Sequence, residues 1–366
     1  MNHFFLTMHQ ASEGDCLVLA WGDPADPHHA VIDLGRGADY RALRPWLAQA
    51  SRIELFTMSH IDADHIAGAM PMVRESTAPF APADVWFNGY AHLAAAKARW
   101  NPLEALSVPQ GDKLEEGINR FGWPWNAAFA GGRVSVDNRQ ALVPLTLPGG
   151  LKICLLSPGD QELATLEKIW NKWLRKTRLR TADEDEETST PPALEVLSVP
   201  DVNTLAKAPF KEDDAAPNGS SIAFLAEFDG RCVLLGADAF PSRVAASLRT
   251  LGYSPERRLK LDLLKLSHHG SKGNTSPELL ALIDCTRFAI STNGTQHSHP
   301  DPETIARILA ADPGRPKQLL FNTRQPNAEI WENIALMTRW NYVCIFPDPP
   351  AHAGLEVEIS RFLDTQ

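Results

Sequence analysis

Apolar residues along this chain fall into short runs closed by Gly, Pro, Asn or Asp, the pattern of strands buried on one or both faces. It predicts strands over Cys16 to Trp21, His29 to Asp33, Leu55 to Met58, Val85 to Phe87 and Leu151 to Leu156. A second set follows at Ile222 to Phe228, Cys232 to Leu235, Leu261 to Leu266, Phe288 to Ser291, Gln318 to Phe321, Tyr342 to Phe346 and Leu355 to Ile359. Helical spacing separates several of these runs, over Tyr40 to Ala50, Asp64 to Val73, Ala91 to Leu106, Pro241 to Leu251, Pro277 to Ile283 and Pro302 to Ala310. Two strand-rich halves with helices between them predict an α/β protein of two packed sheets covered by helices.

One segment breaks this grammar. Between 161 and 180, Leu163, Leu166, Trp170, Trp173 and Leu174 share a helical face, while Lys168, Lys172, Arg175, Lys176, Arg178 and Arg180 crowd the other side. The acidic run Asp183 to Glu187 and a Thr/Pro-rich stretch come next, with no periodicity until about Asn218. Residues 160–217 therefore read as an insertion, helical at first and partly disordered, within a single domain spanning 1–366. The stretch from about 312 to 366 reads as a C-terminal extension. The 160–180 helix is the place where a protein partner or a second copy would dock, although a solvated basic face accounts for it as well.

Composition narrows the class. With Lys+Arg 35 against Asp+Glu 45, the formal charge of −10 argues against general affinity for nucleic acid or membranes, while a local basic face remains compatible with an anionic substrate. No apolar run is long enough to span a bilayer, and Met1 to Gln10 lacks the basic start and apolar core of a signal peptide. The five cysteines are widely spaced and form no Cys-x-x-Cys pair, so free thiols in a reducing compartment, the cytoplasm, are expected.

The chemistry concentrates at residues 60 to 65, His-Ile-Asp-Ala-Asp-His, at the end of a predicted strand. Four metal-capable side chains in six residues are hard to explain as packing. In extended backbone His60 and Asp62 point the same way and can share one ion, while Asp64 and His65 serve a second. Asp64 also stands where the next helix should begin, a position for an N-cap. Two ions ~3.5–4 Å apart suit hydrolysis, in which one polarises the scissile group as water is activated. Asp33 closes another strand and is expected to orient a ligand rather than bind metal itself. Asp238 ends Leu-Leu-Gly-Ala-Asp, where a carboxylate can bridge two metals, and His268-His269-Gly270-Ser271 repeats the design with two imidazoles. His297 and His299 lie in a later loop, and either can bind a leaving group or donate a proton. No Gly-x-Ser-x-Gly elbow and no glycine-rich phosphate loop competes with this reading.

These pieces, in this order, resemble the metallo-β-lactamase fold superfamily. Within it the chain is most similar to the branch containing the C-terminal nuclease domain of ComEC-type DNA-uptake proteins. The finer likeness rests on Glu13-Gly14-Asp15, Asn218-Gly219-Ser220-Ser221, Asn293 and His299-Pro300. The resemblance implies an αββα four-layer sandwich with two divalent ions at one edge of the sheets. It implies His60, Asp62, Asp64, His65, Asp238 and one of His268 and His269 as ligands, with His269 preferred and His268 nearer the substrate. Two departures stand out. Asp62 occupies a position usually held by His, and no histidine occurs between His92 and His268, so the customary mid-chain His ligand is missing. Ser157 or Asn218 falls near that place. A set richer in carboxylate favours manganese or magnesium, with iron and zinc as alternatives, and one ion is expected to be held weakly.

The leading expectation is a two-metal phosphodiesterase or nuclease, with Asp64 and Asp238 fixing the metals and His268 or His299 assisting the leaving oxygen. An ester, lactone or thioester hydrolase uses the same site on a carbonyl. A third reading is a metal-weakened, non-catalytic subunit that binds a protein partner; stand-alone members of this kind resemble components of bacterial multi-gene systems, phage defence among them.

Overall fold

The computed structural model describes residues 2–100, 113–138, 143–168, 170, 199–348 and 354–359. Half of the expected insertion, and the predicted helix beyond residue 100, lie outside these residues.

Two sheets form the centre. The first runs, edge to edge, through Leu355–Glu358, His3–Met8, Leu17–Asp23, Asp26–Ile32, Ile53–Thr57 and Val85–Trp86. The second runs through Tyr342–Ile345, Lys317–Phe321, Arg287–Ile290, Leu263–Lys265, Arg231–Leu235, Ala223–Phe228, Lys152–Ser157 and Leu145–Thr146. Strand alternation assigns each side chain to a layer. In Leu17–Asp23, Leu17, Leu19 and Trp21 enter the core between the sheets while Val18 faces outward. In Arg231–Leu235, Val233 and Leu235 enter the same core and Leu234 faces the other way. The outer face of the first sheet is covered by Tyr40, Leu43 and Leu47 of helix Gly37–Leu47 and by Leu114 and Ile118 of helix Lys113–Phe121. Val244 and Leu248 of helix Pro241–Thr250 and Ile305 and Leu309 of helix Pro302–Ala311 cover the second. The fold is α/β, an αββα sandwich.

Several local expectations shift. The helix predicted from Asp64 to Val73 divides into single turns, Ala63–Ile66 and Ala69–Met72. At Gly68 a Cβ would lie 2.3 Å from the Leu34 carbonyl oxygen, so the chain bends where it presses on the neighbouring loop, and Pro71 has no N–H to continue the ladder. Asp62, not Asp64, holds the N-cap position, and its side chain makes no capping bond. The stretch after 312 is woven into both sheets: Lys317–Phe321 and Tyr342–Ile345 extend the second in parallel, and Leu355–Glu358 pairs antiparallel with His3–Met8. In the expected insertion, Leu163, Leu166 and Trp170 are buried in the core beneath the first sheet's helices, so this part of the apolar face packs on its own chain. Trp173 and the acidic run lie outside the described residues.

Candidate metal centre

Parallel pairing sets the position of the site. Asp26–Ile32 and Ile53–Thr57 pair in parallel, as do Arg231–Leu235, Leu263–Lys265 and Arg287–Ile290, so their C-terminal ends collect at one edge of the sandwich. Loops leaving such ends line the crevice of an open α/β sheet. Three of these exits pass through left-handed backbone, with φ of 58° at Asp33, 42° at Ala237, and 47° and 54° at His268 and His269. Consecutive left-handed residues other than glycine are costly and persist only where the surroundings hold them. The loops of the two sheets are stitched together: Ile222 N–H donates to Ser59 O (3.0 Å), and Ser291 Oγ donates to Gly14 O (3.0 Å). Gly14 is required there, because a Cβ would meet the Asp64 carbonyl oxygen at 1.8 Å.

The carboxylate of Asp238, almost fully buried, stands at the centre. Its Oδ1 faces His65 Nε2 (3.5 Å) and His269 Nε2 (3.8 Å); its Oδ2 faces His60 Nε2 (3.7 Å) and His268 Nε2 (3.8 Å). Asp64 Oδ2 completes the first group, 3.2 Å from His269 Nε2 and 3.7 Å from His65 Nε2. Asp62 Oδ2 lies 3.7 Å from His60 Nε2 on the other side. Donors each ~2.0–2.2 Å from a shared ion stand apart by about this much, farther than hydrogen-bonded atoms.

The protons on the rings can be located from their partners. Asp33 Oδ1 accepts from Ser59 N–H (2.7 Å), and Oδ2 accepts from Ser59 Oγ (2.6 Å) and His65 Nδ1 (2.7 Å). Ser59 Oγ, its proton given to Asp33, can only accept from His60 Nδ1 at 3.0 Å. His269 Nδ1 donates to the carbonyl of Ser291 (2.9 Å). With every Nδ1 a donor, the Nε2 atoms carry lone pairs. His65 Nε2 and His269 Nε2 nevertheless face each other at 3.2 Å. Two acceptors this close repel unless a proton or a metal cation lies between them. His60 Nε2 and Asp238 Oδ1 are also buried without a hydrogen-bond partner. The donor set fits divalent metal, and two groups within it have metal-binding spacing among the described residues: His60, His65 and Asp238, and Asp15, His65 and His269. In the second group Asp15 lies on the far edge of the His269 ring, Oδ1 to Nδ1 3.6 Å, and is paired with the buried ammonium of Lys265, so it orients the ring rather than sharing an ion with Nε2.

Electrostatics agree with this geometry. Burial opposes the charge on Asp238, but His268, His65 and His269 outweigh it and hold the carboxyl well below its usual range. Burial likewise opposes the charge on Asp64, and His65 and His269 pull it down. Burial disfavours a proton on His269, yet Asp238, Asp15 and Asp64 raise it to about 9; His65 and His268 also move up. The metal-free pocket thus gathers protons where metal would sit.

No family model matches the chain, and no curated protein matches it either. Among solved structures it is similar to YhfI from Bacillus subtilis, a metallo-β-lactamase fold protein, at 11% identity over 97% of this chain and 99% of that one, with a TM-score of 0.37. It is similar to a candidate metal-dependent hydrolase from Parabacteroides distasonis at 12% identity, covering 93% of this chain and 92% of the other, with a TM-score of 0.36. The E377D variant of the β-hydroxylase CmlA is 10% identical over 97% of this chain and 54% of its own length, with a TM-score of 0.39. Likeness at this level carries neither activity nor ligands to this chain.

The structure brings together all six residues expected as ligands, His60, Asp62, Asp64, His65, Asp238 and His269. His268 lies against the same carboxylate, and Asp33 occupies the orienting position expected of it. His299 sits at the flank, its ring 5.3 Å from that of His268. Burial, then His268, His269 and His297, depress its pKa to about 3, so at neutral pH the ring is uncharged. Three contributors escaped sequence reasoning in their present roles: Asp15, Asp213 and Asn274. Asp15 stood in a noted motif; Asp213 lay in a stretch that read as irregular. Asn218, expected near the missing mid-chain histidine, donates to Asp213 Oδ2 at 2.7 Å. Ser157 Oγ is buried without a partner. None of the five cysteines is in a disulfide, and among the described residues no helix is long and apolar enough to cross a membrane.

Proposed function

We propose that the chain is a two-metal hydrolase that cleaves phosphodiesters of nucleic acid or nucleotides. The observation carrying the metal reading is the convergence of the Nε2 atoms of His60, His65 and His269 on the buried carboxylate of Asp238 and on Asp64, with each Nδ1 proton committed elsewhere. Divalent ions held in this pocket supply Lewis-acid polarisation of the scissile group and an activated water at neutral pH. Asp64, His65 and His269 would hold one ion, His60 and Asp62 the other, with Asp238 offering one oxygen to each. Asp33 fixes two of these rings at once and turns both Nε2 atoms toward the pocket.

Substrate reaches the centre from the Asp62 side, where that carboxylate is 35% exposed against 2% for Asp238. His299 flanks His268 there with its ring uncharged. The phosphodiester preference is supported by the motif likeness to the ComEC-type branch and by the carboxylate at position 62. Imidazoles beside carboxylates suit manganese, iron or zinc better than magnesium, which prefers oxygen ligands and retains its waters.

The test is a panel of DNA, RNA, an aryl phosphodiester, an aryl ester and a lactone, each with manganese, magnesium and zinc, run on wild type and Asp64→Ala. Metal-dependent phosphodiester cleavage lost in Asp64→Ala supports the proposal. Cleavage confined to the ester or lactone moves the chemistry to a carbonyl, and cleavage intact in Asp64→Ala sinks the assignment of the site.

A further inference from the structure

We propose that both histidines of the His268-His269 pair are metal ligands, one for each ion, and that His268 replaces the mid-chain histidine this sequence lacks. The assignment rests on the metal-centre reading above and extends it to the side chains that hold His268.

The argument begins with the side-chain amide of Asn274. Its Nδ2 faces two acceptors, the carbonyl of Asp238 at 3.0 Å and Asp213 Oδ2 at 3.2 Å. Its Oδ1 must then point the other way, and it lies 3.0 Å from His268 Nδ1. Asp213 Oδ2 is a second acceptor for that nitrogen at 3.4 Å. Asn218 Nδ2 also approaches His268 Nδ1, at 3.3 Å, but one of its two protons goes to Asp213 Oδ2 at 2.7 Å, and the closer Asn274 Oδ1 can only accept. His268 Nδ1 is therefore the protonated nitrogen. The Nε2 lone pair faces Asp238 Oδ2, the oxygen that also faces His60 Nε2.

His268 thereby follows the rule of the other three rings: Nδ1 donates to a fixed acceptor and Nε2 turns inward. The left-handed backbone at both His268 and His269 is what sends adjacent side chains to opposite oxygens of one carboxylate. Asp213 and Asn274 are positioning residues, acting on the ion through His268 as hydrogen-bonded partners of ligating histidines do. Asp213 is itself fixed, its Oδ1 accepting from Ala215 N–H at 2.9 Å and its own N–H donating to Gly273 O at 3.2 Å. The exit of the 160–217 segment is thus part of the metal centre.

The experiment is cobalt(II) and manganese(II) titration of the full chain, reading stoichiometry, affinity and the cobalt ligand-field spectrum, with circular dichroism as the check on folding. Wild type should bind two ions. His268→Gln should keep one ion and lose the other by more than about 100-fold in affinity, with the cobalt band of that site altered. Asp213→Asn keeps the ligand and covers the case in which His268→Gln fails to fold; it should weaken only that ion, by ~10–100-fold, and shift the same band. Two ions bound at wild-type affinity in His268→Gln, loss of both together in a folded variant, or an unchanged second ion in Asp213→Asn overturns the assignment. A wild type that binds two ions yet cleaves no phosphodiester defeats the substrate reading and leaves this one standing.

Discussion

The centre has two sides that share Asp238 and differ in how they are supported. On the inner side, Asp64, His65 and His269 expose 18%, 0% and 3% of their side chains. Behind them stand Asp33 and the Asp15–Lys265 ion pair, all buried within the sandwich edge. On the outer side His60 is fully buried, but Asp62 and His268 are 35% and 23% exposed. Asp213, which holds His268, comes from a segment that packs over the second sheet rather than from a strand exit. The difference teaches that, on the two-metal proposal, one ion site would be built into the core and the other assembled on it. The inner site should hold metal tightly, and the outer one should exchange it and meet substrate.

The most damaging change is at the residue common to both sides. Asp238→Ala removes an oxygen from each donor set, so activity should fall by about 10³-fold or more, a loss of ~4 kcal/mol in transition-state stabilisation. Metal analysis should show both sites affected; loss confined to one site would break the symmetry assigned to this carboxylate. Next is Lys265→Ala, which leaves the Asp15 carboxylate buried without its cation. Removing one partner of a buried pair costs about 3–5 kcal/mol, read as a lower urea midpoint. The inner ion should weaken more than the outer one, because Asp15 orients His269.

Asp33→Asn is milder and sharpens the comparison differently. Asp33 fixes His65 directly and His60 through Ser59, so both ions should weaken by ~10–100-fold. An effect on the inner ion alone would show that Ser59 holds His60 unaided.

The smallest effect is one of pH. In the metal-free protein His269 is raised to about 9 from an ordinary 6.5. A raised folded-state pKa stabilises fully below the unfolded value and loses that contribution as pH rises through about 9. Metal requires the neutral ring and displaces this proton. Manganese should therefore raise the melting temperature by a few degrees more at pH 9 than at pH 6; an equal gain at both would mean that no proton is exchanged at the inner site.

Much of this was legible in the chain. Strand exits ending in Asp33, Asp238 and His268-His269 announce themselves, because apolar runs that stop at a carboxylate or imidazole have few structural reasons to do so. The hexapeptide from His60 to His65 is readable for the same reason. The sequence pattern did not expose Asp213 or Asn274, since a polar residue in an irregular stretch looks the same whether it is solvated or clamped on a histidine. Helix Lys113–Phe121, strand His3–Met8 and the edge strand Leu145–Thr146 also went unread, being short or flanked by weak signals.

The sequence by itself determined the two-sheet α/β plan and the identity of the side chains able to hold metal, because periodicity and residue chemistry are local. Tertiary structure decided which acceptor each Nδ1 meets, which oxygen of Asp238 each histidine of the adjacent pair faces, and which side of the centre is open. Those outcomes depend on hydrogen-bond acceptors brought in from distant loops, and on left-handed backbone that only the packed surroundings can hold.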